Sequence, residues 1–263
     1  MGIYAVTGGS GCVGAETIKL LKKRGHQTLN IDIKKADIPA DLSLPEGRQK
    51  AIDELYRRCP YGLDGLICCA AVSGACGDLK RIVAVNYFGT IAIAIGAFDL
   101  LQKKNGSCVI VSSNIISQEL QRMDLADLMN NNSDSEHKIL NLVSGLDAMD
   151  LKTGISVYAA TKYALARWVR RCSASYAANG VRINAVAPGN VGSAMTATMP
   201  AGAKAAISTL PVPTKYKEQT LMRPSEIAKV IAFLASEDAC GVNGIVMFAD
   251  GGTDALLNTE KVY

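Results

Sequence analysis

The sequence predicts an α/β fold of the Rossmann type, with a doubly wound parallel sheet in a single domain. Three observations carry this. Short apolar runs alternate with amphipathic helical patterns along the chain. The first apolar run passes at once into a glycine-rich turn and then a helix. A central run, Leu66-Ile67-Cys68-Cys69-Ala70-Ala71, is apolar throughout, as a parallel strand covered on both faces must be.

The 263 residues suffice for one large domain spanning the whole chain. Hydrophobic residues make up 49% and charged residues 20%, so a sizeable core is expected and wholesale disorder is excluded. The net charge of +4 is mild, and Lys22-Lys23-Arg24 and Arg170-Arg171 read as helix faces or ends, so no nucleic-acid partner is expected. No apolar run approaching a membrane span is expected. Strand-like residues from Ile3 leave no room for a charged leader. The 8 cysteines form no Cys-x-x-Cys pair and read as small buried hydrophobes in a reducing, cytoplasmic compartment. No His/Cys/Asp cluster has metal-ligand spacing.

Each element follows in order. Ile3-Tyr4-Ala5-Val6 is a strand, and Thr7-Gly8-Gly9-Ser10-Gly11-Cys12-Val13-Gly14 is the turn after it. Glycines there permit a tight turn and close approach of backbone N–H groups to a pyrophosphate at the following helix N-terminus. Thr28 to Asp32 is the second strand. A carboxylate about 20 residues beyond the turn accepts from adenosine ribose hydroxyls and repels a 2′-phosphate, which favours NAD over NADP. Lys34 and Lys35 soften that preference. Asp41-Leu42 follows a proline-containing loop, within reach of an adenine.

Glu46 to Cys59 is an amphipathic helix, and Ile82 to Leu101 is a long apolar one carrying the polar Asn86, which must find partners. Ser107 to Ser112 is a buried strand closing in Ser112-Ser113, where hydroxyls meet ligands in doubly wound sheets. Residues 114–150 form a polar helical insert, with Met123, Leu125, Leu128 and Met129 at helical spacing. Ser156 to Ala178 is a helix presenting Tyr158 and Lys162 on one face. A lysine ammonium beside a phenol lowers the phenol's pKa toward a range useful for proton transfer; alone, the pair also fits two surface residues. Val181 to Ala187 is a strand ending at Pro188-Gly189. Residues 190–222 read as a flap over an apolar ligand. A helix from Pro224 and a last strand, Ile245 to Ala249, complete the pattern.

The glycine turn, Asn86, Ser113 and Tyr158-Ala-Ala-Thr-Lys162 together resemble the short-chain dehydrogenase/reductase family, single-domain branch. Pro188-Gly189 and Asp250-Gly251-Gly252 extend the likeness over nearly the whole chain. Ile31-Asp32-Ile33, Ala40-Asp41-Leu42-Ser43 and Val85-Asn86-Tyr87-Phe88-Gly89 look most like the bacterial 3α-hydroxysteroid dehydrogenase/carbonyl reductase subgroup.

The resemblance implies an NAD-dependent enzyme interconverting a secondary alcohol and a ketone on a hydrophobic small molecule, such as a 3α-hydroxysteroid or bile acid. Dehydrogenation of aromatic or terpenoid alcohols is the alternative, and a non-catalytic NAD-binding regulator a more distant one. It implies Tyr158 as general acid/base, Lys162 as its electrostatic partner and ribose ligand, Ser113 as carbonyl polariser, and Asn86 as holder of a water joining Lys162 to solvent. Gly8, Ser10, Gly11, Cys12, Val13 and Gly14 would hold the pyrophosphate side. Asp32, Ile33, Asp41 and Leu42 would hold the adenosine. Cys69, Ala70 and Ala71, with Pro188, Gly189, Val191 and Ser193, would flank the nicotinamide half. A homodimer or homotetramer is implied. Two departures stand out: Cys12 replaces the usual glycine, implying a locally different turn, and Cys68-Cys69-Ala70-Ala71 replaces Asn-Asn-Ala-Gly.

Overall fold

A computed structural model of the chain describes residues 1–131, 136–192, 201–208, 212 and 221–262. Its sheet has seven parallel strands in the order β3-β2-β1-β4-β5-β6-β7. These are β1 Ile3–Thr7, β2 Gln27–Asp32, β3 Ile38–Pro39, β4 Gly65–Cys68, β5 Ser107–Val111, β6 Arg182–Pro188 and β7 Val246–Ala249. The two-residue β3 was not expected; it is too short to show a period. From β1 the chain winds outward to β3, then returns to β4 on the other side of β1. That reversal opens a crevice beyond the carboxyl ends of β1 and β4.

Neighbouring side chains of each strand serve different cores. Ala5 packs on one face, whereas Tyr4 and Val6 pack on the other. Both faces are covered, which is why the strands are continuously apolar. One face carries α1 Cys12–Lys23 and the late helix Pro224–Ala235. In the latter, Ile227, Ile231 and Leu234 recur at helical spacing and are fully buried. Each such side chain stabilises the fold by about 1.5–3 kcal/mol.

The other face carries α2 Pro45–Arg58 and the segment from Leu79 to Gln102. The expected single helix is here three helices, α3 Leu79–Val83, α4 Thr90–Gly96 and α5 Phe98–Gln102, with a π-helical turn at Ala84–Gly89. All six residues of that turn are buried. A Cβ at Gly89 would lie 2.8 Å from the Leu42 carbonyl oxygen, so the helix presses directly on the loop after β3. Such packing, invisible to periodicity, accompanies the widened turn. The stretch Leu79–Gly96 has mean hydropathy 1.3 and is long and apolar enough to cross a membrane by length and composition, contrary to expectation. It is 67% buried within the domain, as a core helix is.

The insert holds a 3₁₀ turn at Asn114–Ser117, then α6 Met123–Asn131 and α7 Glu136–Ser144. Leu125, Met129, Ile139 and Val143 join the main core. Arg167 ties α6 down by donating to Asp127, Asn130 and the Ala126 carbonyl. Next comes α8 Leu151–Ala178, which starts five residues before the expected Ser156 because Asp150 caps it, accepting from Lys152 N and Thr153 N. The remaining α-helices among the described residues are α9 Ala201–Ser208, α10 (the late helix just described) and α11 Thr253–Leu257.

Candidate active site

A cleft of about 720 Å³ lies beyond the carboxyl ends of β1, β4, β5 and β6. Its nucleotide-sized end is built from backbone. Gly8 follows β1 with φ 67°, and a Cβ there would meet Ala70 N at 2.6 Å. A Cβ on Gly14 would meet the Gly8 carbonyl oxygen at 2.3 Å, so α1 rests on the turn itself. Gly11 is the N-cap of α1 and makes no side-chain cap bond. The first amides of the helix are thus left to a ligand, at its positive end. Gly8, Ser10, Gly11, Cys12, Val13 and Gly14 all line the cleft, with Cys12 as the first helical residue. The residues present fit a pyrophosphate. The locally different turn that Cys12 implied keeps its glycines at 8, 11 and 14.

At the end of β2, Asp32 is fixed by two backbone donors, Ser10 N at 3.0 Å and Ile33 N at 2.7 Å. Each oxygen keeps lone-pair capacity for a ribose hydroxyl. Ser10 Oγ donates to the Lys34 carbonyl at 2.8 Å and accepts from Asn30 Nδ2 at 3.1 Å. Asn30, which the sequence did not single out, also donates to the Lys35 carbonyl at 3.0 Å. The loop after β2 is thereby folded over the glycine turn. Asp41 and Leu42 line the cleft beyond Ile33. Burial raises the Asp41 pKa, but bonds from the Ser43 hydroxyl and amide, with Arg81 and Arg48 nearby, outweigh it and leave the group below its ordinary range.

The other end is built from side chains. Tyr158 and Lys162 stand one turn apart on α8, and Ser113 follows β5. The two serines divide the work. Ser112 Oγ donates to the Lys162 carbonyl at 2.9 Å and holds α8 to the sheet. Ser113 accepts from Ile115 N and bonds with the Tyr158 phenol. Lys162 Nζ donates to the Val111 carbonyl at 2.9 Å and lies 5.7 Å from the Tyr158 ring centroid. Burial brings the Lys162 pKa down to about 8, with Cys69 and Cys68 opposing the shift.

One expectation is corrected here. The Tyr158 pKa is raised, because burial of the phenol outweighs the bond from Ser113. Asn86 is fully buried, and its amide is occupied by Val72: Oδ1 accepts from Val72 N at 2.8 Å and Nδ2 donates to Val72 O at 3.1 Å. It braces the loop after β4 from outside the lining of the cleft. Cys69, Ala70, Ala71, Pro188, Gly189 and Val191 do line it. Ser193 and much of the expected flap lie outside the described residues; Val191 bridges to Met222 at the base of that segment.

The sequence did not identify the apolar wall. Val72, Ile115, Leu120, Leu151 and Ile155 supply it. Gly74 and Gly154 meet backbone to backbone: a Cβ on Gly154 would lie 2.1 Å from the Gly74 carbonyl oxygen. Behind the wall, Asp250 accepts from Asn114 Nδ2 at 3.4 Å and from Asp254 N at 2.7 Å, and packs against Gly189. The Asp250-Gly-Gly stretch thus joins β7 to the segments carrying Ser113 and Pro188.

A glycine turn at the sheet's switch point, facing a serine, tyrosine and lysine across one cleft, defines an oxidoreductase of the dinucleotide-binding type. The chain belongs to the short-chain dehydrogenase/reductase family. A family model described as enoyl-(acyl carrier protein) reductase matches residues 118–254. A 3-alpha-hydroxysteroid dehydrogenase/carbonyl reductase of Comamonas testosteroni is 33% identical over 99% of this chain and 100% of its own. A coniferyl-alcohol dehydrogenase of a Pseudomonas species is 30% identical over 94% of each. The crystal structure of the 3-alpha-hydroxysteroid dehydrogenase from Pseudomonas sp. B-0831, complexed with NADH, superposes with a TM-score of 0.90 at 32% identity, covering 99% of this chain and 100% of that one.

Proposed function

We propose that this enzyme interconverts a secondary alcohol and a ketone on a hydrophobic small molecule, using NAD(H). The observation that carries the reading is the convergence of Ser113, Tyr158 and Lys162 on a cleft whose one end suits a pyrophosphate and whose other end is apolar. When bound, the nicotinamide supplies the hydride chemistry. The chain's own residues bind, orient and handle the proton. Asp32 accepts from the adenosine ribose hydroxyls, which favours NAD over NADP. Ser113 donates to the substrate oxygen. Tyr158 holds the proton that passes to the ketone oxygen in reduction and takes it back in oxidation. Lys162 donates one hydrogen bond to the Val111 carbonyl and offers its other N–H groups to the nicotinamide ribose. Asn86 positions Val72 in the cleft wall.

The raised Tyr158 pKa keeps the phenol protonated at neutral pH, the form that donates to the ketone oxygen in reduction. A 3α-hydroxysteroid or bile acid is the leading substrate, supported by the likeness to hydroxysteroid dehydrogenases over the full chain. An aromatic alcohol is the second reading, favoured by the coniferyl-alcohol dehydrogenase likeness. We further assign the enzyme to the cytoplasm, as a homodimer or homotetramer. An NADH absorbance screen with steroid, bile-acid and aromatic alcohols and ketones tests the reading. Turnover of 3α-hydroxysteroids is expected; turnover of none of these classes overturns it. Light scattering on the eluting protein decides the assembly.

A further inference from the structure

One buried cation lies outside this mechanism. Arg48, on α2, is 6% exposed, and its guanidinium binds three separate segments. Nε donates to the Leu42 carbonyl at 2.8 Å. Nη2 donates to the Ser43 carbonyl at 3.3 Å and the Ala84 carbonyl at 3.1 Å. Nη1 and Nη2 meet Glu136 in a two-pronged pair at 2.6 and 2.7 Å. Leu42 lines the nucleotide end of the cleft, Ala84 opens the π turn that carries Asn86, and Glu136 begins α7 of the insert.

We propose that the Arg48–Glu136 pair is a positioning device through which the insert sets the adenosine wall of the cleft. The inference rests on the dinucleotide reading above. A buried guanidinium costs several kcal/mol to desolvate and needs a counter-charge. Glu136 supplies it in two-pronged geometry, the strongest form of such pairing. The Leu42 carbonyl is gripped by Arg48 on one side, and on the other faces Gly89, where a Cβ would lie 2.8 Å away. Without Glu136 the guanidinium keeps, among the described residues, only carbonyl hydrogen-bond partners and draws them to itself. The Leu42–Ser43 segment then shifts against the adenosine. The pair is thus a link between the insert and the cofactor, separable from another anchor of the insert, the Arg167–Asp127 pair, in which the Asp127 side chain is 53% exposed.

The test is a fluorescence titration of the purified protein with NADH, alongside steady-state kinetics and thermal melts. Glu136→Ala is expected to raise the Kd for NADH about tenfold, and Glu136→Gln by less. Glu136→Asp is expected to recover part of the loss. Turnover at saturating NADH stays within about twofold, since Tyr158, Ser113 and Lys162 are untouched. Asp127→Asn is the control for general loosening of the insert and is expected to leave the Kd unchanged. An unchanged Kd in folded Glu136→Ala and Glu136→Gln proteins overturns the proposal, as does an equal shift in Asp127→Asn. A wild type that binds no NADH overturns the dinucleotide reading itself, and this inference with it.

Discussion

The two ends of the cleft are made from different materials. The end after β1 is backbone: glycines at 8, 11 and 14, helix amides, and a carboxylate held by two amides. The end after β5 is side chain: a phenol, an ammonium and a hydroxyl, two of them shifted by burial. Backbone donors tolerate exchange of the side chains attached to them, so cysteine can stand at 12 and 69 without emptying the site. Side-chain chemistry has no such slack. Binding is robust where catalysis is brittle.

The comparison is broken most severely at Tyr158. Tyr158→Phe is expected to lower turnover at least about 100-fold, while NADH affinity stays within about twofold. Retained turnover in a coupled assay would remove the proton-transfer role. At the backbone end, Gly8→Ala is expected to cost about 2–4 kcal/mol in denaturant unfolding, because the left-handed φ and the Ala70 contact both forbid a methyl.

Lys162→Met sharpens the contrast, since it is expected to stabilise while abolishing activity. In the folded state the Lys162 pKa is about 8, against 10.5 for an ordinary lysine. The folded protein therefore carries the full penalty of burying an ammonium at low and neutral pH. As pH rises from about 8 to about 10.5, the unfolded chain holds the extra proton, and the wild type gains up to about 3 kcal/mol. The variant should lack this gain. Unfolding of both proteins at two pH values checks it; equal slopes would show that Lys162 is not desolvated. Asp32→Ala comes next, with an expected change of about tenfold in the NADH-to-NADPH affinity ratio. Cys12→Ala is the smallest, within about 0.5 kcal/mol in stability, with NADH binding retained.

Much of this was legible in the chain. The glycine turn, Asp32 and Tyr158-Ala-Ala-Thr-Lys162 are local patterns whose chemistry depends on spacing alone, and the cleft gathers them as expected. What was not legible depends on contacts between distant residues. The Arg48–Glu136 pair spans 88 positions and leaves no local trace. The direction of the Tyr158 shift follows from burial, which only the folded cleft determines. Asn86 announces that it needs partners, but not that Val72 will supply them. Helix periodicity could not reveal the π turn, because every residue of Ala84–Gly89 is buried whatever its helix type.

The contact of Gly74 with Gly154 places two main chains together with no side chain between them. Where side chains line a wall, one rotamer change can widen or narrow it. Where main chains touch, only movement of a whole loop or helix can. Residues Leu120, Leu151 and Ile155 form the adjustable side of the same cavity. Drift toward bulkier or slimmer substrates, in nature or in the laboratory, therefore has a fixed floor and a negotiable ceiling, and libraries aimed at new substrates belong on the ceiling.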